Sequence, residues 1–378
     1  ESGAVILGAK PLDSPSLMDN GNDIKELKAI SDKLWGTADN GMKKTGKGKV
    51  YWGKTLNEVL KEESIAPDVI LPQDLDVNWI HRETDDAHIY FIASKEDKPV
   101  DLALSFRING LSPQIWDAFT GEQQDVKIWK NFEDRTNVAL SLAPRGSAIV
   151  VFSKSDKKPF ASRVTYNRDT ILSTETGWYK KHEDEAAPRL SWKGDNFFAS
   201  AAGKYVFHQN KEVNVREISI EEESLQNNWK LSFNKDWDTP NILEVSELKS
   251  LTAYKNEAVR HYSGTVTYSK TINLDEIGKY IILDLGEVAN ITEVWCNNKK
   301  VGVKWAPPFE FNISEFVRKG ENTFEIKVTN TWRNQLIFDN SRPKDQKKTW
   351  TTNPPKKNEI ELEVSGLIGP VVLKQVIY

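Results

Sequence analysis

Cysteine is almost missing from this sequence: Cys296 stands alone among 378 residues. An internal disulfide is therefore excluded, and with it a disulfide scaffold or a cysteine-built zinc site. The thiol falls in the apolar alternation Ile291, Val294, Cys296, where it is expected to pack as a small buried hydrophobe. Histidine is scarce too, and the five present include no H-E-x-x-H pair. No apolar run approaches the roughly 20 residues that span a bilayer, so no transmembrane segment is expected. An excess of one charge is also lacking. The 55 acidic and 51 basic side chains leave a net charge of -4, which argues against a nucleic-acid binder whose basic face must neutralise several phosphates.

Tryptophan, in contrast, is used freely, at 13 residues. With 38% hydrophobic residues, the chain has material for about two to four domains at roughly 100–200 residues each. It opens on Glu1, and neither Met18 nor Met42 sits where a start is expected. A processed chain that has lost a signal peptide fits this reading.

Three textures follow one another. Gly3–Gly8 reads as a buried strand, and Ile24, Leu27, Ile30, Leu34 and Trp35 recur at helical spacing before Gly36. Lys49–Trp52 reads as a strand, and Thr55 as the opening of a second helix through Leu56, Val59 and Leu60. Such a strand and helix grammar belongs to a parallel α/β layer, but about seventy residues are too few to bury both faces of one. Residues 1–70 are therefore expected to be the end of a larger α/β domain.

Beyond Pro72 short alternating segments take over: Val77–His81, His88–Ala93, Leu102–Ile108, Val126–Trp129, Asn137–Leu142 and Ala148–Phe152. Turns such as Asn109-Gly110, Thr120-Gly121 and Arg145-Gly146 separate them. An antiparallel β-sandwich is expected over 71–224, with 154–202 read largely as polar surface connection. From 225 to 378 longer strands recur, among them Tyr262–Ile272, Tyr280–Leu285, Ile291–Asn297 and Asn322–Thr329, with Asn297-Asn298 as a tight hairpin turn. This pattern predicts a β jelly roll, so the fold class is mainly β, with a partial α/β segment ahead of a sandwich and a jelly roll.

Chemistry-bearing motifs are sparse. Gly41–Lys47 spells most of a phosphate loop, but Gly48 stands where Ser or Thr should hold magnesium and a strand follows where a helix is needed. A lysine-rich turn is the reading that fits. The acidic groups Glu221-Glu222-Glu223 and Glu359, Glu361, Glu363 read as a solvated turn and a solvated strand face. No carboxylate pair stands out of the kind that sugar hydrolysis needs. More informative are Trp305-Ala-Pro-Pro-Phe309 and the run Asn330 to Asp339, which combine tryptophan, amide, arginine and carboxylate just beyond predicted strands. Sugars present C–H faces to tryptophan and hydroxyls to such polar groups. Trp305, Asn330, Trp332, Arg333, Asn334 and Asp339 are thus candidate carbohydrate contacts at the end of a sandwich. Packing between domains is the alternative reading of the same residues.

These strings also carry a resemblance. His261-Tyr-Ser-Gly-Thr-Val-Thr-Tyr268, Leu283-Asp-Leu-Gly286, Val294-Trp-Cys-Asn-Asn-Lys299, Trp305-x-Pro-Pro-Phe309 and Gly320-Glu-Asn-Thr323 resemble the galactose-binding-like jelly roll of many glycoside hydrolases. Trp332-Arg-Asn-Gln-Leu-Ile337 and Ser365-Gly-Leu-Ile-Gly-Pro370 narrow this to the C-terminal end of glycoside hydrolase family 106, the α-L-rhamnosidases. Asn78-Trp-Ile-His-Arg82 in the middle, and Ser14-Pro-Ser-Leu17 and Leu34-Trp-Gly36 near the start, are similar to the same family. There the first segment would be the tail of an amidotransferase-like α/β domain. The catalytic glutamates of that family lie in an upstream (β/α)₈ barrel, for which this sequence has no matching positions, so no catalytic residue carries over.

The resemblance implies a non-catalytic accessory region that supports an upstream catalytic domain or partner chain, and binds plant polysaccharide such as rhamnose-containing pectic glycans. It also implies a periplasmic, extracellular or cell-surface location. A stand-alone carbohydrate-binding module is the alternative, and an active glycosidase a further one. No cofactor is expected, although jelly rolls of this kind often hold a structural calcium, whose ligands the sequence does not identify.

Overall fold

The computed structural model describes residues 3–14, 21–118, 121–182, 188–193, 196–210, 212–234, 237–356, 358 and 360–377. Leu17 of the Ser14–Leu17 motif, Thr120 of the predicted turn and Glu359 of the acidic group lie outside the described residues. The chain divides into two compact units, Glu1–Val69 and Ile70–Tyr378.

In the first unit, strand Gly48–Trp52 is central, parallel to Val5–Leu7 and antiparallel to Gly41–Thr45. Gly41–Lys47 is thus one arm and the turn of a hairpin, not a phosphate loop. Helix α1 (Asn22–Leu34) and helix α2 (Leu56–Glu62) follow the expected positions. Thr55 caps α2 because its hydroxyl accepts from the Glu58 amide while the Glu58 carboxylate accepts from the Thr55 amide. The expected burial of the first strand fails: Val5 and Ile6 are nearly half exposed, since this edge strand has a neighbour on one side only. A small core of Trp35, Val50 and Trp52 remains.

The second unit is built almost wholly from antiparallel sheets. One has the order Trp129–Phe132, Arg135–Leu142, Val100–Phe106, Tyr179–Lys181. Another runs Val77–Glu83, Ala87–Ser94, Ser147–Ser153, Ser112–Trp116, Gln123–Asp125. Tyr90 and Phe152 from the second meet Phe106 from the first with ring centroids 4.7 and 5.0 Å apart, so aromatic side chains form the layer between them.

Residues 154–202 hold more structure than expected. Arg163–Tyr166, Asp169–Ser173, Leu190–Lys193 and Asn196–Ala199 are strands, and Val164, Ile171, Leu172, Phe197 and Phe198 are buried in a core shared with Ile128, Phe207, Ile218 and Val376. Lysine and aspartate between these short apolar pairs gave the segment its polar composition. Glu221–Glu223, expected as a turn, lies inside the 13-residue strand Glu212–Ser224.

That strand changes partners along its length. Glu212–Ile218 pairs with Gly203–Gln209, and Ser219–Ser224 pairs with Val372–Ile377. One seven-stranded sheet therefore runs through the expected boundary near residue 225, and both β regions fall in a single compact unit. Its jelly-roll end faces a six-stranded sheet ordered Ile242–Glu247, Asn227–Ser232, Thr265–Leu274, Gly320–Thr329, Ile291–Cys296, Lys299–Lys304. Between them Leu231, Tyr268, Leu283, Val294, Phe324, Ile326 and Leu373 are fully buried, each aliphatic one worth about 1.5–3 kcal/mol. Cys296 is among them, and burial pushes its thiol up to about 11. Asn297 and Asn298 both have positive φ, as the predicted two-residue turn requires.

Gly366 closes the core from one edge with φ of +94°, and a methyl there would strike the Tyr268 hydroxyl and lie 3.0 Å from Leu251 Cγ. Gly110 has φ of +75° with open space around it. Urea unfolding should therefore show Gly366→Ala losing at least about 2 kcal/mol and Gly110→Ala about 1 kcal/mol or less. Equal losses at the two positions would mean that backbone strain alone, and not the Tyr268 contact, matters.

Candidate functional site

At one end of the jelly roll four chain segments meet around an open groove. Asn234 and Trp237 come from the segment after strand Asn227–Ser232, and Tyr262 to Thr265 lead from the short helix α3 (Glu257–Arg260) into the next long strand. Trp332 and Leu336 belong to helix α4 (Arg333–Asn340) and its cap, and Lys348 to Thr351 form a strap beyond it. The groove has two lobes that share Trp237, Trp332 and Lys348.

Tryptophan dominates its surface. Trp332 is 56% exposed and Trp350 85%, while Trp237 is half-buried with its ring 5.7 Å from that of Trp332 at 52°. Trp237 is steadied from below by Tyr262, which is fully buried. The Tyr262 hydroxyl accepts from the Asn234 amide at 3.2 Å and donates to the Thr265 carbonyl at 2.9 Å. Beside the rings, Lys348 Nζ lies 2.7 Å from Asp238 Oδ1. The hydrogen bond from Lys348 holds the Asp238 carboxyl below the usual carboxylate range.

The residues singled out in the sequence divide between surface and support. Trp332 stands in the groove. Asn330 is structural in its contacts: its Oδ1 accepts from the Gly264 amide at 2.7 Å, and its Nδ2 donates to the Tyr262 carbonyl at 2.8 Å and to Ser365 Oγ. Asn334 is buried and pairs with the backbone of Glu363 through both ends of its amide, each bond 2.8 Å. Arg333 faces the Glu363 carboxylate at 3.4 Å. Asp339 is 2% exposed; its Oδ2 accepts from the amides of Lys348 and Thr349 and the Thr349 hydroxyl at 2.6–2.9 Å, while Oδ1 accepts from Gln335 Nε2. Trp305 is 54% exposed but lies outside the groove lining, on the loop that leads to Pro307 and Pro308.

Trp237, Asp238, Lys348 and Trp350 were not singled out. The signal available for Trp350 was its setting, Lys347-Lys348-Thr349-Trp350-Thr351-Thr352, where no apolar neighbour could share its burial. A further pocket, lined largely by Pro99, Leu142, Pro144, Pro188, Pro307 and Pro308, contains the pair Asp101 and His182. Their side chains already satisfy each other at 2.6 Å. Glu361 and Glu363 lie outside any strand, contrary to expectation, because the segment is held by Asn334 rather than by a ladder. Among the described residues no three His, Cys, Asp or Glu side chains gather for a metal, so the calcium implied by the resemblance finds no carboxylate set here.

Comparison with known proteins gives concordant matches along the chain. Residues 1–130 match the family model for α-L-rhamnosidase, and residues 206–353 match that for the sugar binding domain of family 2 glycosyl hydrolases. The solved rhamnosidase of Novosphingobium sp. PP1Y superposes with a TM-score of 0.73 at 25% identity, over 98% of this chain and 31% of that one. A “Putative beta-glucuronidase” of Formosa agariphila is 24% identical over 98% of this chain. The chain spans 48% of that relative's length. The expected likeness to glycoside hydrolases, mainly β and ending in a family 2 type sugar binding domain, is thus found.

Asp339 ties the strap that carries Lys348 and Trp350. Asp339→Ala should lower the unfolding free energy by about 3 kcal/mol, because it leaves buried donors unpaired. The Lys348 and Thr349 amides should lose hydrogen-exchange protection before those of the jelly-roll strands do. Unchanged protection of these amides would show that the strap is held by something else.

Proposed function

We propose that the chain is a non-catalytic accessory region of an α-L-rhamnosidase-like glycoside hydrolase, which binds glycan in the tryptophan groove and supports a catalytic domain. The single observation that carries this is the exposure of Trp332 and Trp350 in one concavity with half-buried Trp237. Pyranose rings are apolar on their C–H faces and polar at their rims, so they stack on indole while hydroxyl groups reach Lys348, Asp238 and the threonines at 265, 349 and 351. Rigid aromatic side chains give such contacts at low entropic cost. All the groove's tryptophans lie within the stretch that matches the sugar binding domain.

Hydrolysis would need two carboxylates facing each other across a glycosidic bond. Among the described residues at the groove the carboxylates are Asp238, tied to Lys348, and Asp339, committed to backbone amides, and they form no such facing pair. The same reading puts the protein in the periplasm or outside the cell, where polysaccharide is met, with rhamnose-containing pectic glycans as the expected ligands.

A time course of proton NMR spectra with rhamnose-containing pectic oligosaccharides tests this. Saturation transfer from protein to sugar is expected, with no free-rhamnose anomeric signals. Trp332→Ala should weaken binding about tenfold, the loss typical of a central aromatic contact. Release of free rhamnose would overturn the non-catalytic reading, and absence of transfer would overturn the binding one.

A further inference from the structure

We infer that the Asp238 and Lys348 pair selects a neutral sugar residue at the Trp332 position of this groove, gripping neighbouring hydroxyls of the stacked ring and turning a uronate residue away from that position. The inference rests on the reading of the groove as a glycan site and specifies its substrate class. Three features carry it. Lys348 lines both lobes, and its backbone amide is fixed by Asp339 at 2.9 Å, so the side chain starts from a defined place. Its ammonium lies 2.7 Å from Asp238 Oδ1, while the Asp238 side chain stays 64% exposed. Asp238 also adopts φ of +57°, a left-handed turn conformation that aspartate tolerates and that sets the direction in which its carboxylate leaves the backbone.

An ammonium beside a carboxylate sets a donor and an acceptor next to each other. Each hydroxyl of a neighbouring pair on a sugar can both donate and accept, so a diol suits this arrangement. A uronate offers only acceptors at its carboxylate. To reach Lys348 it must approach Asp238 as a like charge and break an existing ion pair, which is how sites discriminate by repulsion as well as attraction. Arg342, whose charge also helps hold the Asp238 carboxyl low, and Lys344 and Lys347, just ahead of the strap in sequence, attract anions as well, an effect that salt weakens.

The test compares a neutral rhamno-oligosaccharide with a galacturonate oligosaccharide of equal length, by calorimetric titration of the whole chain at 0.15 M salt. The wild type should bind the neutral sugar about tenfold more tightly. Asp238→Asn keeps a residue that tolerates the left-handed backbone and leaves Lys348 without its counter-charge. It should weaken neutral binding about fivefold and strengthen uronate binding, narrowing or reversing the preference. Binding that Trp332→Ala removes, but whose neutral-to-uronate ratio Asp238→Asn leaves unchanged, overturns this inference alone. Binding untouched by Trp332→Ala overturns the groove reading and this inference with it.

Discussion

The groove depends on a carboxylate that never reaches its surface. Asp339 is buried on the inner side of helix α4 and receives three hydrogen bonds from the strap at Lys348 and Thr349. That strap belongs to no sheet, so its amides need partners that no ladder supplies. One carboxyl side chain satisfies them together, accepting from both amides and from the Thr349 hydroxyl through a single oxygen. Asn330 and Asn334 do the same for the segments at 262–264 and 363–365. The segments at 262–264 and 363–365 and the strap are thereby tied to helix α4 and the residues just before it at one edge of the jelly roll by polar contacts.

Beneath that edge the order of forces reverses. The body of the domain is set by apolar alternation on facing sheets, with Val294, Ile326, Leu283 and Leu373 fully buried between them. The long strand Glu212–Ser224 carries this arrangement into the neighbouring core by exchanging one partner strand for another at residues 218 and 219. Burial is non-directional and fixes the layers. Hydrogen bonds are directional and fix where the loops leave them.

This division explains what could be read in the sequence. Alternating strands, the Asn297-Asn298 turn and the Thr55 cap each follow from a local rule, and each is present. The strands between 154 and 202 escaped because their apolar residues come in pairs such as Ile171-Leu172 and Phe197-Phe198, too short to show a period against charged neighbours. Helix α4 escaped for another reason. Its buried residues are Asn334, Gln335 and Asp339, so its inward face is polar and hydrophobic spacing has nothing to mark. The same polarity made Asn330, Asn334 and Asp339 read as ligands for sugar, since an amide bonded to backbone and an amide facing solvent have the same letter. Trp332 was legible because its neighbours are polar, and Trp350 would have been by the same argument.

Exposure of the groove's tryptophans follows from how its walls are held. In a site supported by apolar packing, an indole near the surface tends to be drawn into the core, because burying it is favourable by several kcal/mol. Here the strap and α4 are positioned by bonds to Asp339 and Asn334, and these fix backbone atoms rather than side-chain volume. Trp350 and Trp332 can therefore stay outward without loosening the loop that bears them. A ring that docks on them meets surfaces already in place, so little of the contact energy is lost to ordering the protein. The buried carboxylate and the exposed indoles are thus two halves of one arrangement, in which polar support beneath the surface leaves apolar area free above it.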